Sequence, residues 1–299
     1  MKILKQDTPL DRIKKNAKKK FKALKIDILK KDISYLCPPN ILNEFTAEIR
    51  SMDAFSKYNS HYDFLKNFED AILKNVKSKY VQINGNKYQL HRSNSGINFR
   101  ESCIDLNSHL SSRMRFCLEV INTYFSKSKN VYLSEHQTTF HKRLSELNNY
   151  NITSSWFNSE SIYFQDLTQL SYPDNHFDLS LTFEDLEHIP NYKLALAELF
   201  RVTKHGGAVL LSAPFATNSQ QNIIRAKLSD KGEIVHLMKP EYHGDPLKEA
   251  EGILCFQHFG WDFLDELRDA GFSDVFAVIG YNINKMMLGR QLFIIGKKQ

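Results

Sequence analysis

Four ionisable side chains lie close together in the middle of the chain, directly after the apolar run at 177–183. They are Glu184, Asp185, Glu187 and His188. An imidazole beside carboxylates can orient a hydroxyl group and accept its proton near neutral pH. We therefore predict a catalytic role for His188. The alternative is a structural histidine near the start of the following helix.

A second polar group lies in the long segment 216–252, which contains the sequence EYHGDP at 241–246. A long insertion after a strand is where an acceptor pocket or lid is built. We therefore predict His243 as a second catalytic residue, with a simple turn as the alternative. His243, Asp245 and His258 also suggest a metal, but their spacing is loose, so we predict no metal site.

The elements that must position these residues are a strand, a helix and a second strand. The run at 177–183 follows a Pro-Asp-Asn turn, and a helix opens after Pro190. Gly206-Gly207 is predicted to end that helix before a strand at 208–215. Such a unit is nearly always right-handed and parallel. One helix face is predicted to pack inward through Tyr192, Leu196, Leu199 and Phe200.

The order of these motifs resembles the class I S-adenosylmethionine (SAM)-dependent methyltransferases, in particular the subgroup that methylates small molecules. The motifs are FDL at 177–179, LEHI at 186–189, ALAELFRV at 195–202 and KHGG at 204–207. The resemblance implies a Rossmann-like α/β fold, with a mostly parallel sheet and an antiparallel C-terminal strand. It also implies SAM as cofactor and O-methylation of a small-molecule or glycan-type acceptor.

The resemblance further implies where the cofactor binds. Glu135 ends the first core strand, at 131–134, and Asp166 stands where the family contacts the adenine amino group. The candidate cofactor-binding residues are Glu135, Asp166, Leu167, Thr182 and Glu184.

Two features depart from the family pattern. The loop after Glu135 has no glycine, although glycines let the backbone approach the cofactor. The strand predicted at 151–157 ends without the carboxylate that accepts hydrogen bonds from ribose. The alternative function is therefore a catalytically inactive binding or scaffold protein with the same fold.

The methyltransferase-like domain is predicted over 126–299, behind an N-terminal extension at 1–125. Residues 1–35 carry 12 positive and 4 negative side chains, a pattern typical of a basic amphipathic helix. This helix either packs on the domain or binds nucleic acid, lipid or an acidic partner. Helices are expected within 41–77 and a β-hairpin at 80–90. The following segment, 96–116, should place Arg113 and Arg115 on a helix.

Composition limits the remaining possibilities. The chain has 299 residues, 42% of them hydrophobic, which is ample for a packed core. It contains no apolar run long enough to span a membrane and no secretory h-region, so a cytoplasmic protein is expected. Four scattered cysteines predict reduced thiols. Lysine dominates residues 1–35, without the aromatic interleaving or the arginine cluster used for base stacking, which disfavours nucleic acid. The acceptor and the oligomeric state are not set by the sequence.

Overall fold

The computed structural model describes residues 33–36, 43–93, 96–147, 149–244 and 252–299. The chain forms two compact units, each built from three segments. The first contains Met1–Glu44, Asp63–Arg113 and Tyr281–Gly289, and the second contains Phe45–Tyr62, Met114–Gly280 and Arg290–Gln299. The predicted domains, 1–125 and 126–299, stay a prediction. The basic helix expected in residues 1–35 lies almost entirely outside the described residues.

The described residues form α-helices, 3-10 turns and β-strands. The helices are α1 (Met52–Ser56), α2 (Asn59–Asn75), α3 (Phe99–Ser102), α4 (Ser112–Phe125), α5 (Thr139–Glu146), α6 (Tyr192–Val202) and α7 (Asp262–Asp269), and there are 3-10 turns at Ser34–Leu36 and Leu186–His188. The strands are β1 (Glu44–Ile49), β2 (Tyr80–Ile83), β3 (Asn86–Leu90), β4 (Cys103–Asp105), β5 (Asn130–Leu133), β6 (Asn151–Ser154), β7 (Phe177–Phe183), β8 (Thr203–Ser212), β9 (Ile223–Ile224), β10 (Ala226–Leu228), β11 (Ile234–His236), β12 (Tyr242–His243), β13 (Ile253–Leu254), β14 (Gln257–His258), β15 (Asp274–Asn282) and β16 (Met287–Lys297).

The second unit is organised by a seven-stranded sheet in the order β1-β15-β16-β8-β7-β5-β6. Strand β5 pairs in parallel with β6 and β7, and β7 pairs in parallel with β8. Strand β16 runs antiparallel to β8. The predicted Rossmann-like α/β class, with a mostly parallel sheet and an antiparallel strand from the end of the chain, is therefore confirmed.

Strand β7 lies inside this sheet, between β8 and β5, and matches its predicted bounds. Its large apolar side chains, Phe177, Leu179, Leu181 and Phe183, are all buried. Burying each contributes roughly 1.5–3 kcal/mol. These four alternate with polar residues, and Ser180 and Thr182 on the opposite face are buried as well. Helix α6 covers the sheet with the predicted face, burying Tyr192, Ala195, Leu196, Leu199 and Val202, while Phe200 is half-buried.

The prediction that Gly206-Gly207 ends the helix was wrong. Helix α6 ends at Val202, and β8 begins at Thr203, so both glycines lie within the strand. They lie in a bulge, because the pairing of β8 with β7 shifts between Phe177 and Leu179. Gly206 has φ +79°, and a Cβ at Gly207 would lie 2.8 Å from the Asp178 carbonyl oxygen. The glycines therefore serve a close backbone approach.

The helical prediction for 41–77 was wrong in its first part. Residues Glu44–Ile49 form β1, the edge strand beside β15, and helices follow only from Met52. The alternating exposure of β1 is the period of a strand. The strand predicted at 151–157 ends at Ser154, where β6 stops.

The first unit contains the predicted hairpin. Strands β2 and β3 pair antiparallel across Asn84-Gly85, which both have positive φ as this two-residue turn requires. The helix predicted to carry Arg113 and Arg115 is α4, and Arg113 Nε donates to Glu101.

Cys103, Cys117 and Cys255 are outside any disulfide, as predicted, and Cys37 lies outside the described residues. Among the described helices none is long and apolar enough to cross a membrane.

Candidate active site at the carboxyl edge of the sheet

The ends of β5 and β7 are joined by a hydroxyl and carboxyl network. Ser134 donates to Asp185, and Thr182 Oγ1 donates to the same oxygen over 2.6 Å. Asp185 is half-buried as a residue, yet desolvation of its carboxyl group raises its pKa to about 6. The hydroxyl of Thr182, a predicted cofactor contact, is therefore directed to Asp185, so Thr182 would reach a ligand through its backbone.

The loop after β5 keeps an unusual backbone without glycine. Glu135 is half-buried, and Gln137 has φ +59°, in the left-handed region that glycine usually occupies. For a non-glycine residue this conformation costs roughly 1–2 kcal/mol. The loop then enters α5, where the Thr138 hydroxyl accepts a hydrogen bond from the His141 N–H. The loop thus takes a glycine-like conformation while carrying full side chains.

His136, from this loop, occupies the space at the end of β6. Its Nδ1 lies 2.8 Å from Ser154 Oγ, and its ring stacks on Tyr163 at 3.7 Å between centroids. Its Nε2 is buried and has no hydrogen-bond partner. The neighbouring hydroxyl of Ser155 is bonded to Tyr132 over 2.7 Å. Both hydroxyls at the position of the family's ribose carboxylate are therefore engaged within the protein.

Asp166 lies in a turn rather than at the end of a strand. One of its carboxylate oxygens accepts from the backbone N–H and hydroxyl of Thr168, at 2.8 and 2.7 Å. The expected third strand is reduced to a single parallel bridge between Trp156 and Phe164. Leu167 beside it is buried. The carboxylate is thus close to the sheet edge and partly used in capping its own turn.

Arg201 on α6 holds this turn in place. Its guanidinium donates to both carboxylate oxygens of Glu198 and to the backbone oxygens of Leu170 and Tyr172. Glu198 in turn accepts from the Leu170 N–H over 2.7 Å. The hydrogen bonds with Glu198 raise the pKa of Arg201 further above its already high value. Sequence reasoning missed this anchor, because nothing in the spacing of 170 and 201 shows their proximity.

Glu184 ties the ends of β7 and β8 together. Its backbone N–H donates to the Ser212 carbonyl oxygen, and its Oε1 accepts from the Ser212 hydroxyl, both over 2.8 Å. Glu184 has φ +59°, which turns the chain sharply at the sheet edge. Glu184, a predicted cofactor contact, therefore lies at the carboxyl edge of the sheet, and one of its carboxylate oxygens accepts a hydrogen bond from Ser212.

The predicted catalytic histidines lie together beside a buried carboxylate. Glu187 is fully buried, and neither of its carboxylate oxygens has a hydrogen-bond partner. His188 Nδ1 lies 2.8 Å from the Leu254 carbonyl oxygen, which can only accept, so Nδ1 carries the hydrogen. His188 Nε2 is then the proton-accepting nitrogen. The His243 ring packs edge to face on His188 at 5.1 Å.

Four ligand-type side chains, His243 among them, form a cluster next to this pair. Glu241, His243, Cys255 and His258 place their polar atoms within 4.8 Å of one another. Burial raises the pKa of Cys255, but hydrogen bonds from the two histidines outweigh it and lower that pKa overall. The interaction with Cys255, followed by that with the nearby Glu187 carboxylate, raises the pKa of His243. The cluster therefore stabilises a charged thiolate and imidazolium pair.

Sequence reasoning missed Glu241 and Cys255. The available signal was CFQH at 255–258, a cysteine three residues before a histidine, but the partner histidine is 12 residues earlier. The prediction of no metal rested on this loose spacing. Pairing of β12 with β13 closes the gap by aligning His243 with Ile253. Asp245 lies outside the described residues.

The residues at this edge fit SAM in part. Glu135 and Asp166 offer carboxylates, and Nε2 of His136 is buried without a hydrogen-bond partner. A buried orphan nitrogen is costly unless a ligand or a movement satisfies it. The fit at the ribose end therefore requires His136 to move away from Ser154 and Tyr163.

Comparison with known proteins agrees with this architecture. Residues 119–211 match the family model described as a methyltransferase domain. None of the curated proteins matches this sequence.

Several solved structures have a similar fold. A SAM-dependent methyltransferase from Methanosarcina mazei is 15% identical, with 60% of this chain and 96% of that chain covered and a TM-score of 0.40. The 1,6-didemethyltoxoflavin-N1-methyltransferase of Burkholderia thailandensis, solved with its substrate and S-adenosylhomocysteine, is 14% identical, with 62% and 78% covered and a TM-score of 0.38. A possible histamine N-methyltransferase from Thermotoga maritima is 12% identical, with 63% and 99% covered and a TM-score of 0.33. Likenesses this distant carry no information about the acceptor.

Two findings agree on the fold of this region. The match to the methyltransferase-domain model covers β5 to β8, the strands whose carboxyl ends carry Glu135, Thr182 and Glu184. Those strands are parallel, as the family resemblance implied. Residues 119–211 are thus similar to a methyltransferase domain, in a chain with the Rossmann-like α/β fold.

Proposed function

We propose that this enzyme methylates a hydroxyl group of a small-molecule or glycan-type acceptor. The observation that carries the proposal is the orientation of His188. Its Nδ1 donates to the Leu254 carbonyl oxygen, so Nε2, which lies 3.8 Å from Glu187 Oε1, is the nitrogen that can accept a proton beyond the end of β7. Ligands of open α/β sheets bind at this edge, so an acceptor hydroxyl would meet His188 there.

The chemistry needs alignment more than strong acid or base catalysis. SAM supplies an electrophilic methyl group on a sulfonium. His188 Nε2 accepts the proton that the acceptor hydroxyl loses, and His243 positions the His188 ring by packing against it. Alignment of the acceptor with the methyl group and removal of water from between them would favour the transfer.

The cofactor contacts are proposed residue by residue. Glu135 would bind the amino group of the methionine part, and Asp166 the adenine amino group, with Leu167 adding its backbone. Thr182 and Glu184 would line the floor through their backbones, because Asp185 and Ser212 already engage their side chains.

A catalytically inactive binding or scaffold protein is the second candidate. It is favoured by one observation, the stacking of His136 on Tyr163 at the ribose end. If the His136 ring does not move, a nucleoside cannot enter the site, and the protein keeps the fold without methyl-transfer activity.

Calorimetry with SAM and with S-adenosylhomocysteine separates the two candidates. We expect a micromolar dissociation constant for the enzyme, whereas no heat at millimolar ligand would support the scaffold. Transfer from labelled SAM to a panel of alcohols, sugars, amines and thiols then tests the acceptor class. Labelling of amines alone would contradict O-methylation.

A pair of variants tests the role of His188. His188→Gln should lower turnover about 10²–10⁴-fold and leave SAM affinity unchanged, because the amide cannot accept the proton. His236→Gln is the matched control, since His236 is exposed on β11. Unchanged turnover in His188→Gln would remove His188 from the mechanism.

A further inference from the structure

Three short strands bring four metal-binding side chains to one point in the second unit. Glu241 precedes β12, His243 lies on β12, Cys255 follows β13, and His258 ends β14. All four offer a ligand atom, and these atoms lie within 4.8 Å of one another. The proposed methyl transfer uses neither Glu241 nor Cys255 nor His258.

The distances within the cluster match a tetrahedral site with a small expansion. Glu241 Oε1 lies 3.0 Å from His243 Nε2 and 3.0 Å from His258 Nε2. A tetrahedral zinc with bonds of about 2.0–2.3 Å separates its ligand atoms by roughly 3.3–3.8 Å. Outward shifts of a few tenths of an ångström would therefore be enough to admit an ion.

The second coordination sphere is already in place. The other oxygen of Glu241, Oε2, lies 3.0 Å from Arg225, which would fix the carboxylate orientation. The other ring nitrogen of His243, Nδ1, faces Glu187 Oε1 at 3.6 Å. A metal-bound histidine commonly donates its second N–H to a carboxylate in this way.

Glu187 is the independent observation that indicates a ligand. Its side chain is completely buried, and both of its carboxylate oxygens lack hydrogen-bond partners. Burying such a group is costly without compensation. A cation held by His243 Nε2 would supply that compensation, because it fixes the hydrogen on Nδ1 and places positive charge close to the carboxylate.

We propose that Glu241, His243, Cys255 and His258 bind a Zn²⁺ ion, with Glu187 and Arg225 in its second sphere. Thiolate and imidazole ligands select zinc over magnesium or calcium, which prefer oxygen ligands. Four protein ligands form a closed site, which is typical of structural zinc. The proposal is independent of the methyl acceptor.

The ion would stabilise the described residues of 216–244 and 252–260, which form short two-stranded β elements. Their buried apolar cluster consists of Ala226, Leu254 and Phe256. The exposed apolar side chains of the same segment include Leu228, Ile234, Leu237 and Met238. A small β element with so few buried contacts gains most from a metal, because metal binding is coupled to its folding. The ion would thereby hold the segment beside His188.

Elemental analysis of the purified full chain tests the proposal directly. We expect about one zinc per chain after dialysis against metal-free buffer. The apo protein, prepared with a chelator, should take up one equivalent of Zn²⁺ or Co²⁺. The cobalt form should show the intense visible bands of a tetrahedral site and a thiolate-to-cobalt charge-transfer band. Failure of the apo protein to bind either metal would overturn the proposal.

Variants identify the ligands. Cys255→Ser should abolish the charge-transfer band, whereas Cys117→Ser, a buried free cysteine in α4, should keep it. Glu187→Gln should weaken zinc binding about 10–100-fold, as expected of a second-sphere partner. Zinc content that is unchanged in Cys255→Ser and His258→Gln would show that the metal binds elsewhere.

One further variant separates loss of a ligand from misfolding. His258→Cys replaces one good zinc ligand with another, so it should retain zinc, whereas His258→Gln should lose it. A chain that merely failed to fold would lose zinc in both. If His258→Gln keeps its zinc while its circular dichroism stays native, His258 is not a ligand and the proposed site is wrong.

Discussion

The two halves of the sheet edge differ in how their polar groups are satisfied. At the ends of β5 and β6, Ser154 and Ser155 bond to neighbouring side chains, and His136 fills the gap against Tyr163. Beyond the ends of β7 and β8, the buried Glu187 carboxylate makes no hydrogen bond and lies 3.6 Å from His243 Nδ1, beside a cluster of histidine, cysteine and glutamate. The first half is filled by its own side chains, whereas the second gathers side chains that would bind a cation.

The difference indicates that a nucleoside must compete with protein side chains for the first half, whereas a cation would complete the second half. A nucleoside entering the first half has to displace an aromatic stack of about 0.5–1.5 kcal/mol before it gains any contact. A cation entering the second half replaces the hydrogen bonds of Glu241 with His243 and His258 by metal–ligand bonds and adds positive charge near the buried Glu187 carboxylate. The second half should therefore lose more when its ligand is withheld.

Removal of the metal should have the largest effect. Chelation of the full chain should make the segment 216–258 sensitive to protease, with cleavage at least ~10-fold faster, because metal binding free energy is folding free energy for such an element. The strands from β5 to β8 should stay protected. Mass spectrometry of the first cleavage products checks this. Equal protection of 216–258 and of β5 to β8 from the protease after chelation would contradict the expected difference between the two halves.

Asp185 joins the two halves through Ser134 and Thr182, and its replacement should change the pH dependence of stability. Its pKa is raised from 3.8 to about 6, so the folded form holds the proton more tightly than the unfolded form. The free energy of unfolding should therefore fall as pH rises from about 4 to about 6, by up to about 3 kcal/mol. Asp185→Asn should lack this fall in urea unfolding measured at a series of pH values. A parallel fall in the variant would assign the effect to other groups.

His136→Ala should open the first half to the cofactor. Removing the ring removes the competition at the ribose end, so SAM should bind about 10-fold more tightly. Calorimetry on the variant and on His141→Ala, the neighbouring histidine of α5, measures the difference. Weaker SAM binding in His136→Ala would mean that the ring is part of the cofactor site rather than an obstacle.

Gln137→Gly should have the smallest effect. Glycine adopts φ +59° without steric cost, so the variant should be more stable by roughly 0.5–1 kcal/mol. Gln137→Ala keeps the strain and serves as the control. Equal unfolding free energies for the glycine and alanine variants would show that the loop conformation is not strained.

Sequence reasoning succeeded where the signal is local. Strand β7 matched its predicted bounds because apolar residues at every second position, entered from turn residues, are typical of a strand. The hairpin at 80–90 was found because Asn-Gly favours a turn with positive φ. Both depend only on residues close together in the chain.

It failed where the structure depends on distant residues. The bulge at Gly206-Gly207 exists because the Asp178 backbone approaches closely, and the chain from 203 to 208 does not reveal this. The cluster around Cys255 was missed for the same reason, since β12 and β13 bring Glu241 and His243 to it from 12 or more residues away. When folding brings distant residues together, their spacing along the sequence does not reveal that they are close.

The positions of the two tryptophans give each half of the edge its own optical reporter. Trp156 follows β6 and bridges to Phe164, while Trp261 is buried and donates its indole N–H to the Thr217 carbonyl oxygen. With only two tryptophans in the chain, Trp156→Phe and Trp261→Phe each leave a single emitter. Fluorescence of Trp156 would follow nucleoside arrival, and that of Trp261 would follow ordering of the insertion. The order in which the two halves take their ligands can thus be timed in one stopped-flow experiment.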